Sequence, residues 1–548
     1  MTVTVAEAVG RRLVELGVGQ VFGVVGSGNF HLTNAMIAAG ARYLAARHEA
    51  GAATMADAYA RTSDTVAAVS LHQGCGLTNA LTGVAEAAKS RTPLLVLAAE
   101  TAAAATLSNF RVDQDGLAAS VGAVPMRVTG GRDALQQAVS AYHVARDQRR
   151  TVLLNLPLDV QQQPVPEEAA SPAPVAATPP APAAEAVDTL AGLFRRAQRP
   201  VLVAGRGARH AGQALRELGA AGGALLATSA VAKGLFHGDP WDVDVSGGFS
   251  TPVAADLIRG ADLVVGFGCA LNMWTTRHGR LLSPEATLVQ VDLDRSALGA
   301  HRPIDVGIVA DTARTAQAVT AALADDGRVS EGYRRPDVAA RLRERRRWRD
   351  EPYDDWGDGT TIDPRTLTIA LDDLLPAERV IGVDSGNFMG YPSMFLDVPD
   401  ERGFCFTQAF QSVGLGLATA VGAGLAQPGR LPVAAVGDGG LLMAASELDT
   451  VVRSGLPMVV VVYDDGGYGA EVHHFADGAP LDTVRFPPTD HAAIARGHGF
   501  EAVTVREVGD LAPLEAWLAG PREQPFLVDA KVAGPRGAWW LEEAFRGH

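Results

Sequence analysis

The sequence predicts an α/β protein of three parallel-sheet domains, and three observations carry that expectation. Short β-branched runs alternate with longer helix-patterned stretches along the chain, the texture of β–α–β units. At 548 residues the chain exceeds what one hydrophobic core serves. Two breaks fall where a threefold division needs them: 161–187 is Pro/Ala-rich, and 324–362 is charged and punctuated by DDG, RRP and DDWGDG.

The expected order is an N-terminal domain over 1–160, the Pro/Ala-rich linker 161–187, a middle domain over 188–323, the charged linker 324–362, a C-terminal domain over 363–534 and a tail over 535–548. In the first, MTVTVAEAVGRRLVELGV reads as an amphipathic helix and not as a signal segment. VAAVSL (66–71) is a strand, a helix follows near 77–89, and PLLVLAA (93–99) is the next strand. The middle block offers PVLVAG (200–205), ADLVVGFG (261–268) and ATLVQVDLD (286–294) as buried strands. In the last block LPVAAVG (431–437) leads through DGG to a helix near 441–454, and then to PMVVVVY (457–463). The Arg-rich run 341-RLRERRRWR-349, with its interleaved Glu, reads as a solvated helix face in the second linker.

A net charge of −15 argues against nucleic-acid and anionic-membrane partners. No apolar run approaches the roughly 18 residues of a membrane span. Cys75, Cys269 and Cys405 are odd in number and far apart, so neither a disulfide framework nor a CxxC metal site is expected, and a reducing cytoplasm fits.

The most informative stretch is 437-GDGGLLMAASELDTVVRSGLPMVVVVYDDGGYG-469. Two parallel strands ending at Gly437 and Tyr463 bring Asp438 and Asp465 to one rim, at the carboxyl ends where open sheets bind ligands. Between them a helix begins, and its free N–H groups suit a phosphate. Gly437, Gly439 and Gly440 let the backbone approach an anion closely. Two carboxylates and a diphosphate supply the hard oxygen ligands that Mg²⁺ or Ca²⁺ prefers.

GDG, some two dozen residues, and then a pair of Asn/Asp residues after an apolar strand resembles the signature of the thiamine-diphosphate enzymes: the acetolactate synthase, benzoylformate decarboxylase and pyruvate decarboxylase superfamily. The resemblance covers nearly the whole chain and implies a thiamine-diphosphate and Mg²⁺ site. Its metal ligands would be Asp438, Asp465 and the backbone carbonyl of Gly467, with Tyr468 beside them. Asp464-Asp465 stands where many members have Asn-Asn, an extra charge expected to tighten cation binding. The resemblance continues in 47-RHEAGAATMADAYAR-61, whose Glu49 would contact the cofactor's aminopyrimidine ring and drive its activation, with Ala58 replacing the usual Gly. Such a carboxyl must be shielded from water and able to hold a proton. In this family it reaches a cofactor held by another subunit, so a homodimer or homotetramer with sites between subunits is implied.

Five further places match by resemblance. The loop 23-GVVGSGN-29 puts Ser27 where benzoylformate decarboxylase has Ser, and His72 in 71-LHQGCGLTNALTG-83 matches a catalytic histidine of that enzyme. Glu471 in 466-GGYGAEVHHF-475 falls where pyruvate decarboxylase has a proton-handling carboxylate, and His473 and His474 follow it. Val413 occupies the place of the apolar wedge that bends the cofactor, and 383-VDSGNF-388 offers Ser385 and Gly386 as cofactor contacts. The middle block departs from the family pattern: 268-GCALNMWTTRHG-279 replaces the RFDDR-type segment of acetolactate synthases, which counts against FAD. The GRG at 205–207 is too short a motif to restore it.

The leading expectation is decarboxylation of a 2-oxo acid followed by carboligation to a second carbonyl compound, as in acetolactate synthase. Alternatives are a non-ligating, benzoylformate-type decarboxylase, favoured by His72 and Glu471, and a 2-hydroxyacyl-CoA lyase. An inactive cofactor-binding regulatory homologue is the reading of another class, and retention of Glu49, Asp438 and Asp465 weighs against it.

Overall fold

The computed structural model describes residues 3–166, 178–324, 331–475, 478 and 480–541. Its described residues form three six-stranded sheets, all of whose pairings are parallel. The first contains β1 (Gln20–Gly23), β2 (Arg42–Ala45), β3 (Ala67–Leu71), β4 (Leu94–Glu100), β5 (Val124–Arg127) and β6 (Thr151–Pro157), in the order β2-β1-β3-β4-β6-β5. The second contains β7 (Pro200–Ala204), β8 (Leu225–Thr228), β9 (Asp242–Val245), β10 (Leu263–Phe267), β11 (Thr287–Asp292) and β12 (Val306–Val309), in the order β12-β11-β10-β7-β8-β9. The third contains β13 (Arg379–Val383), β14 (Phe404–Phe406), β15 (Leu431–Gly437), β16 (Val459–Asp464), β17 (Glu501–Val505) and β18 (Phe526–Lys531). Its order, β14-β13-β15-β16-β18-β17, repeats that of the first sheet.

The central strands are near-continuous apolar runs because helices cover both faces; β3, β7, β10 and β13 are buried at every position. Both inter-sheet stretches contain described structure. Val165 donates to the carbonyl of Val3 at 2.9 Å, and a helix already begins at Ala184, so only the centre of the Pro/Ala-rich stretch, 167–177, lies outside the described residues. The charged stretch does carry a helix, Pro336–Arg345, which buries Val338 and Leu342 on one face and leaves Arg341, Arg343, Glu344 and Arg345 exposed on the other, the solvated face expected. Arg341 pairs with Asp256 and Arg349 with Asp373. No helix among the described residues is long and apolar enough to cross a membrane.

The first and third sheets are joined through the helix Glu49–Ser63. His48 caps it by accepting from Ala50 N–H at 3.1 Å, and Asp64 ends it in the left-handed region. Its alanines pack against the helix Gly416–Ala426, with Met55, Ala52, Leu417 and Val421 in one shared core. A buried ionic group fixes the pair: Arg61 donates to Asp57 at 3.0 Å, to Glu86 at 2.6 Å and to the carbonyl of Phe406 at 3.0 Å. Glu86 in turn accepts the N–H of Phe410 at 2.7 Å, which anchors the loop leading to Val413. The helix expected near 441–454 is two helices, Asp438–Met443 and Glu447–Ser454. The break turns the Glu447 carboxylate toward the backbone N–H groups of Arg47 and His48, at 3.2 and 2.9 Å.

Candidate active site

In the third sheet the chain passes from β13 to β14 on one side and to β15 and β16 on the other, so a crevice opens between the carboxyl ends of β13 and β15. Three carboxylates stand there. Asp384 follows β13, Asp438 follows β15, and Asp465 follows β16, whose register pairs Tyr463 with Gly437. Asp438 is 7% exposed. Burial and the neighbouring Asp465 push its carboxyl up to about 7, and burial pushes Asp465 up to about 6. Two carboxylates that ionise so reluctantly side by side are a donor set for a hard cation, which would remove the penalty; the residues present fit Mg²⁺.

Asn387 holds Asp465 in place by donating to its Oδ2 at 3.3 Å. Gly467 is fixed by a bridge to Arg485, and Tyr468 N–H donates to the carbonyl of Val484 at 2.9 Å. Glycine is required along this rim by close approach. A β-carbon on Gly439 would come within 2.6 Å of the Tyr468 ring, and one on Gly440 within 2.5 Å of Asp384 Oδ2. The clamp borders a cavity of about 330 Å³ lined by Asp438, Gly439, Met443, Tyr468, Phe486 and Thr489. The helix that begins at Asp438 has six residues, so its macrodipole is short, and what it offers an anion is the free N–H groups of its first turn.

Asp464 is not a bare extra charge at this rim: its Oδ1 accepts Gly466 N–H at 3.0 Å and its Oδ2 accepts from Lys531 Nζ, while its charge still helps to raise the Asp438 and Asp465 carboxyls. The lysine lies 67 residues further along the chain and reaches Asp464 only because β18 pairs with β16.

Asp384 is a residue that sequence reasoning missed, although it sits inside the quoted 383–388 segment. It is fully buried, is pushed up to about 6 by burial, and accepts N–H groups from Ser385 at 2.8 Å, Gly414 at 3.0 Å and Leu415 at 3.1 Å. Those bonds place Val413, whose Cγ1 stands 3.4 Å from where a β-carbon on Gly440 would be. Ser385 Oγ donates to Gln408 Oε1 at 3.4 Å. Gly386 has φ +147, where a side chain would be strained.

The first sheet has its own crevice, between β1 and β3. Glu49 is half-buried, and its Oε2 accepts from Asn79 Nδ2 at 3.1 Å, a partner the sequence did not reveal. His72 follows β3, with Nδ1 3.0 Å from the carbonyl of Gln73 and its ring edge-on to Phe110 at 5.1 Å. Glu49 and His72 flank Gly76, where a β-carbon would stand 3.7 Å from Glu49 Oε1 and 3.1 Å from His72 Cβ. The loop 23–29 packs on the same histidine through Gly26, but Ser27 is exposed and opens onto a wider cleft of about 1140 Å³ beside the helices Val5–Glu15 and Phe30–Ala38. That cleft is larger than the clamp cavity but lies among helices, so the carboxylate crevice is the better candidate for chemistry.

The helix Gly469–His474 carries the remaining candidates. Glu471 and His474 are exposed. His473 packs against the tail, 3.0 Å from where a β-carbon on Gly537 would be, and burial and Arg485 lower its pKa. In the second sheet the corresponding crevice, between β7 and β10, is closed. A β-carbon on Gly205 would come within 2.6 Å of Cys269 Cα, and one on Gly207 within 2.9 Å of Gly268 Cα.

Comparison with known proteins yields three family models in chain order: "Thiamine pyrophosphate enzyme, N-terminal TPP binding domain" over 3–136, the central domain over 187–319, and the C-terminal TPP binding domain over 384–530. A probable 2-ketoarginine decarboxylase of Pseudomonas aeruginosa is 29% identical over 94% of this chain and 91% of its own length. A sulfoacetaldehyde acetyltransferase of Castellaniella defragrans is 27% identical over 93% and 89%, and an acetolactate synthase large subunit of Parasynechococcus marenigrum 27% over 97% and 88%. The solved structure of a thiamine diphosphate-dependent 4-hydroxybenzoylformate decarboxylase of Rhodococcus jostii shares the fold, with a TM-score of 0.80 at 22% identity over 96% of this chain and 99% of that one.

Proposed function

This chain belongs to the thiamine pyrophosphate enzymes, and from that premise we propose that it decarboxylates a 2-oxo acid and joins the remaining acyl carbon to a second carbonyl compound. The observation that carries the reading is buried Asp438, which lines a cavity large enough for a diphosphate, with half-buried Asp465 beside it. Asp438, Asp465 and the Gly467 carbonyl would hold Mg²⁺, and the first-turn N–H groups at Gly439 and Gly440 would meet the diphosphate. Val413, set by Asp384, would press on the cofactor, with Ser385 and Gly386 beside it. When bound, the cofactor supplies a nucleophilic carbon that also serves as an electron sink.

Glu49 would hold the proton exchanged with the aminopyrimidine, and Asn79 orients its carboxyl for that task. As in the family the chain resembles, the proposed contact of Glu49 is with a clamp held by another subunit, across a homodimer that is in turn the unit of a tetramer. Exposed apolar side chains near both crevices support this: Leu107 and Phe110 near the first, Leu442 and Met443 near the third. A cytoplasmic location belongs to the same proposal.

Ligation is preferred to simple aldehyde release because Glu471 is exposed and His473 is turned under the tail, which leaves the 469–474 helix without an evident proton donor in the cavity. His72 favours the second reading, a non-ligating decarboxylase, since it stands beside Glu49 and could deliver a proton. Incubation with thiamine diphosphate, Mg²⁺ and a panel of 2-oxo acids, with and without aldehyde acceptors, separates the two by mass spectrometry of products. Acyloin or acetolactate-type products are expected; free aldehyde alone would establish the decarboxylase, and no consumption of any 2-oxo acid would exclude both.

A further inference from the structure

Beside the clamp lies a buried ionic group that metal ligation does not require. Lys531 ends β18 in register with Asp464 at the end of β16. Its Nζ donates to the Asp464 carboxylate, donates to the carbonyl of Thr489 at 2.9 Å, and lies 2.9 Å from Asp529 Oδ1. Asp529 is fully buried, and neither of its carboxylate oxygens accepts a hydrogen bond in the described structure, so Lys531 is its counter-charge. His491, 1% exposed, stands 3.6 Å from Asp464 and lines the clamp cavity.

The placement has two consequences. Asp438, Asp464, Asp465 and Asp529 bring four carboxylates to one poorly solvated rim, and a diphosphate would add further negative charge. One ammonium between Asp464 and Asp529 cancels the part of that charge a metal on Asp438 and Asp465 would not reach. The same ammonium ties the strand end 464–467 to the segment around Thr489, so two walls of the cavity are set by one side chain.

We propose that Lys531 is a positioning residue of the diphosphate site: it neutralises Asp464 and fixes the Thr489 wall so that an anionic cofactor meets a clamp without excess negative charge. This role presupposes the thiamine-diphosphate reading above. The test is the dissociation constant of thiamine diphosphate at saturating Mg²⁺, measured by titration calorimetry on the full chain, for wild type, K531M and D464N/K531M. K531M is expected to bind roughly 10- to 100-fold more weakly, and the double variant, which removes the Asp464 charge but leaves Asp529 without its lysine, to bind at least about 5-fold more tightly than K531M while staying weaker than wild type. A merely structural lysine would not be rescued by removing a charge. Wild-type affinity in K531M, or a double variant no better than K531M, would overturn the role. Should K531M not fold, D464N/D529N/K531M, which removes both carboxylates together with their lysine, decides in its place: affinity within about 5-fold of wild type supports the charge pairing, and a loss of about 10-fold or more overturns it. A wild type that binds no thiamine diphosphate with Mg²⁺ would instead sink the cofactor reading, and the role with it.

Discussion

The middle and C-terminal sheets each end in a crevice where neighbouring strands lead away in opposite directions, yet one crevice is filled and the other is open. In the middle sheet Gly205, Gly207 and Gly268 bring backbone onto backbone, and no side chain intervenes. In the C-terminal sheet Asp384 and Asp438 occupy the corresponding strand-end positions, with Asp465 one strand further out, and Asp438 lines an open cavity. Burial and repulsion between carboxylates penalise the Asp438 and Asp465 anions, a penalty a cation would relieve, whereas the glycines offer no side-chain ligand. Position in an α/β sheet therefore offers a site, and the residues at the strand ends decide whether it is used. The N-terminal sheet shares the strand order of the C-terminal one but carries Glu49 and His72, groups suited to moving protons.

Removing a carboxylate from the open crevice is the strongest challenge to this contrast. D438N is expected to weaken Mg²⁺-dependent thiamine diphosphate binding by about 100-fold or more and to abolish turnover at ordinary cofactor concentrations, read by calorimetry and steady-state kinetics. An unchanged isotherm would place the clamp elsewhere. Glu49→Gln sharpens the division between the two sheets with identical order. Its turnover is expected to fall by about 10²- to 10⁴-fold while cofactor affinity stays within a few-fold of wild type. Full turnover in that variant would remove Glu49 from the chemistry.

The filled crevice is broken by G268A. Gly268 has φ +52, and a β-carbon there would come within 2.5 Å of Gly207 Cα. A loss of about 1–3 kcal/mol is expected in thermal or denaturant unfolding, with cofactor affinity unchanged. Loss of cofactor binding without loss of stability would show that the middle crevice has a role at the site.

The smallest effect is a pH dependence of the metal-free protein. Asp438 and Asp465 have folded pKa values raised to about 7 and about 6, so the folded state binds protons more tightly than the unfolded chain. Their contribution to stability therefore falls as pH rises from about 4, the unfolded carboxylate value, to about 7. Mg²⁺ is expected to stabilise the fold increasingly over the same range, because it displaces those protons. Thermal melts at pH 5 and pH 8 with and without Mg²⁺ check this, and a Mg²⁺ shift that shrank toward pH 8 would contradict it.

Much of this molecule could be read before its fold was known. The strands at 67–71, 94–100, 431–437 and 459–464 lie within a residue or two of the runs expected for them, because a buried parallel strand is written in consecutive apolar residues. Asp438 and Asp465 were legible for a related reason, since each directly follows such a strand and chain spacing places them at one rim. The helix break before Glu447 was not legible, because it answers to the backbone of Arg47 and His48, some 400 residues away. Asp384 was passed over because an Asp after a strand carries no local mark of the N–H groups that reach it from Gly414 and Leu415.

Three α/β sheets and two aspartates at one rim could be read from the chain, because strand periodicity and motif spacing are short-range properties. That Asp464 pairs with Lys531, that Glu49 accepts from Asn79, and that His473 packs against the tail came only with the fold. Those partners meet across strands, helices and a folded-back segment, and which side chains face one another there is set by packing and not by distance along the chain.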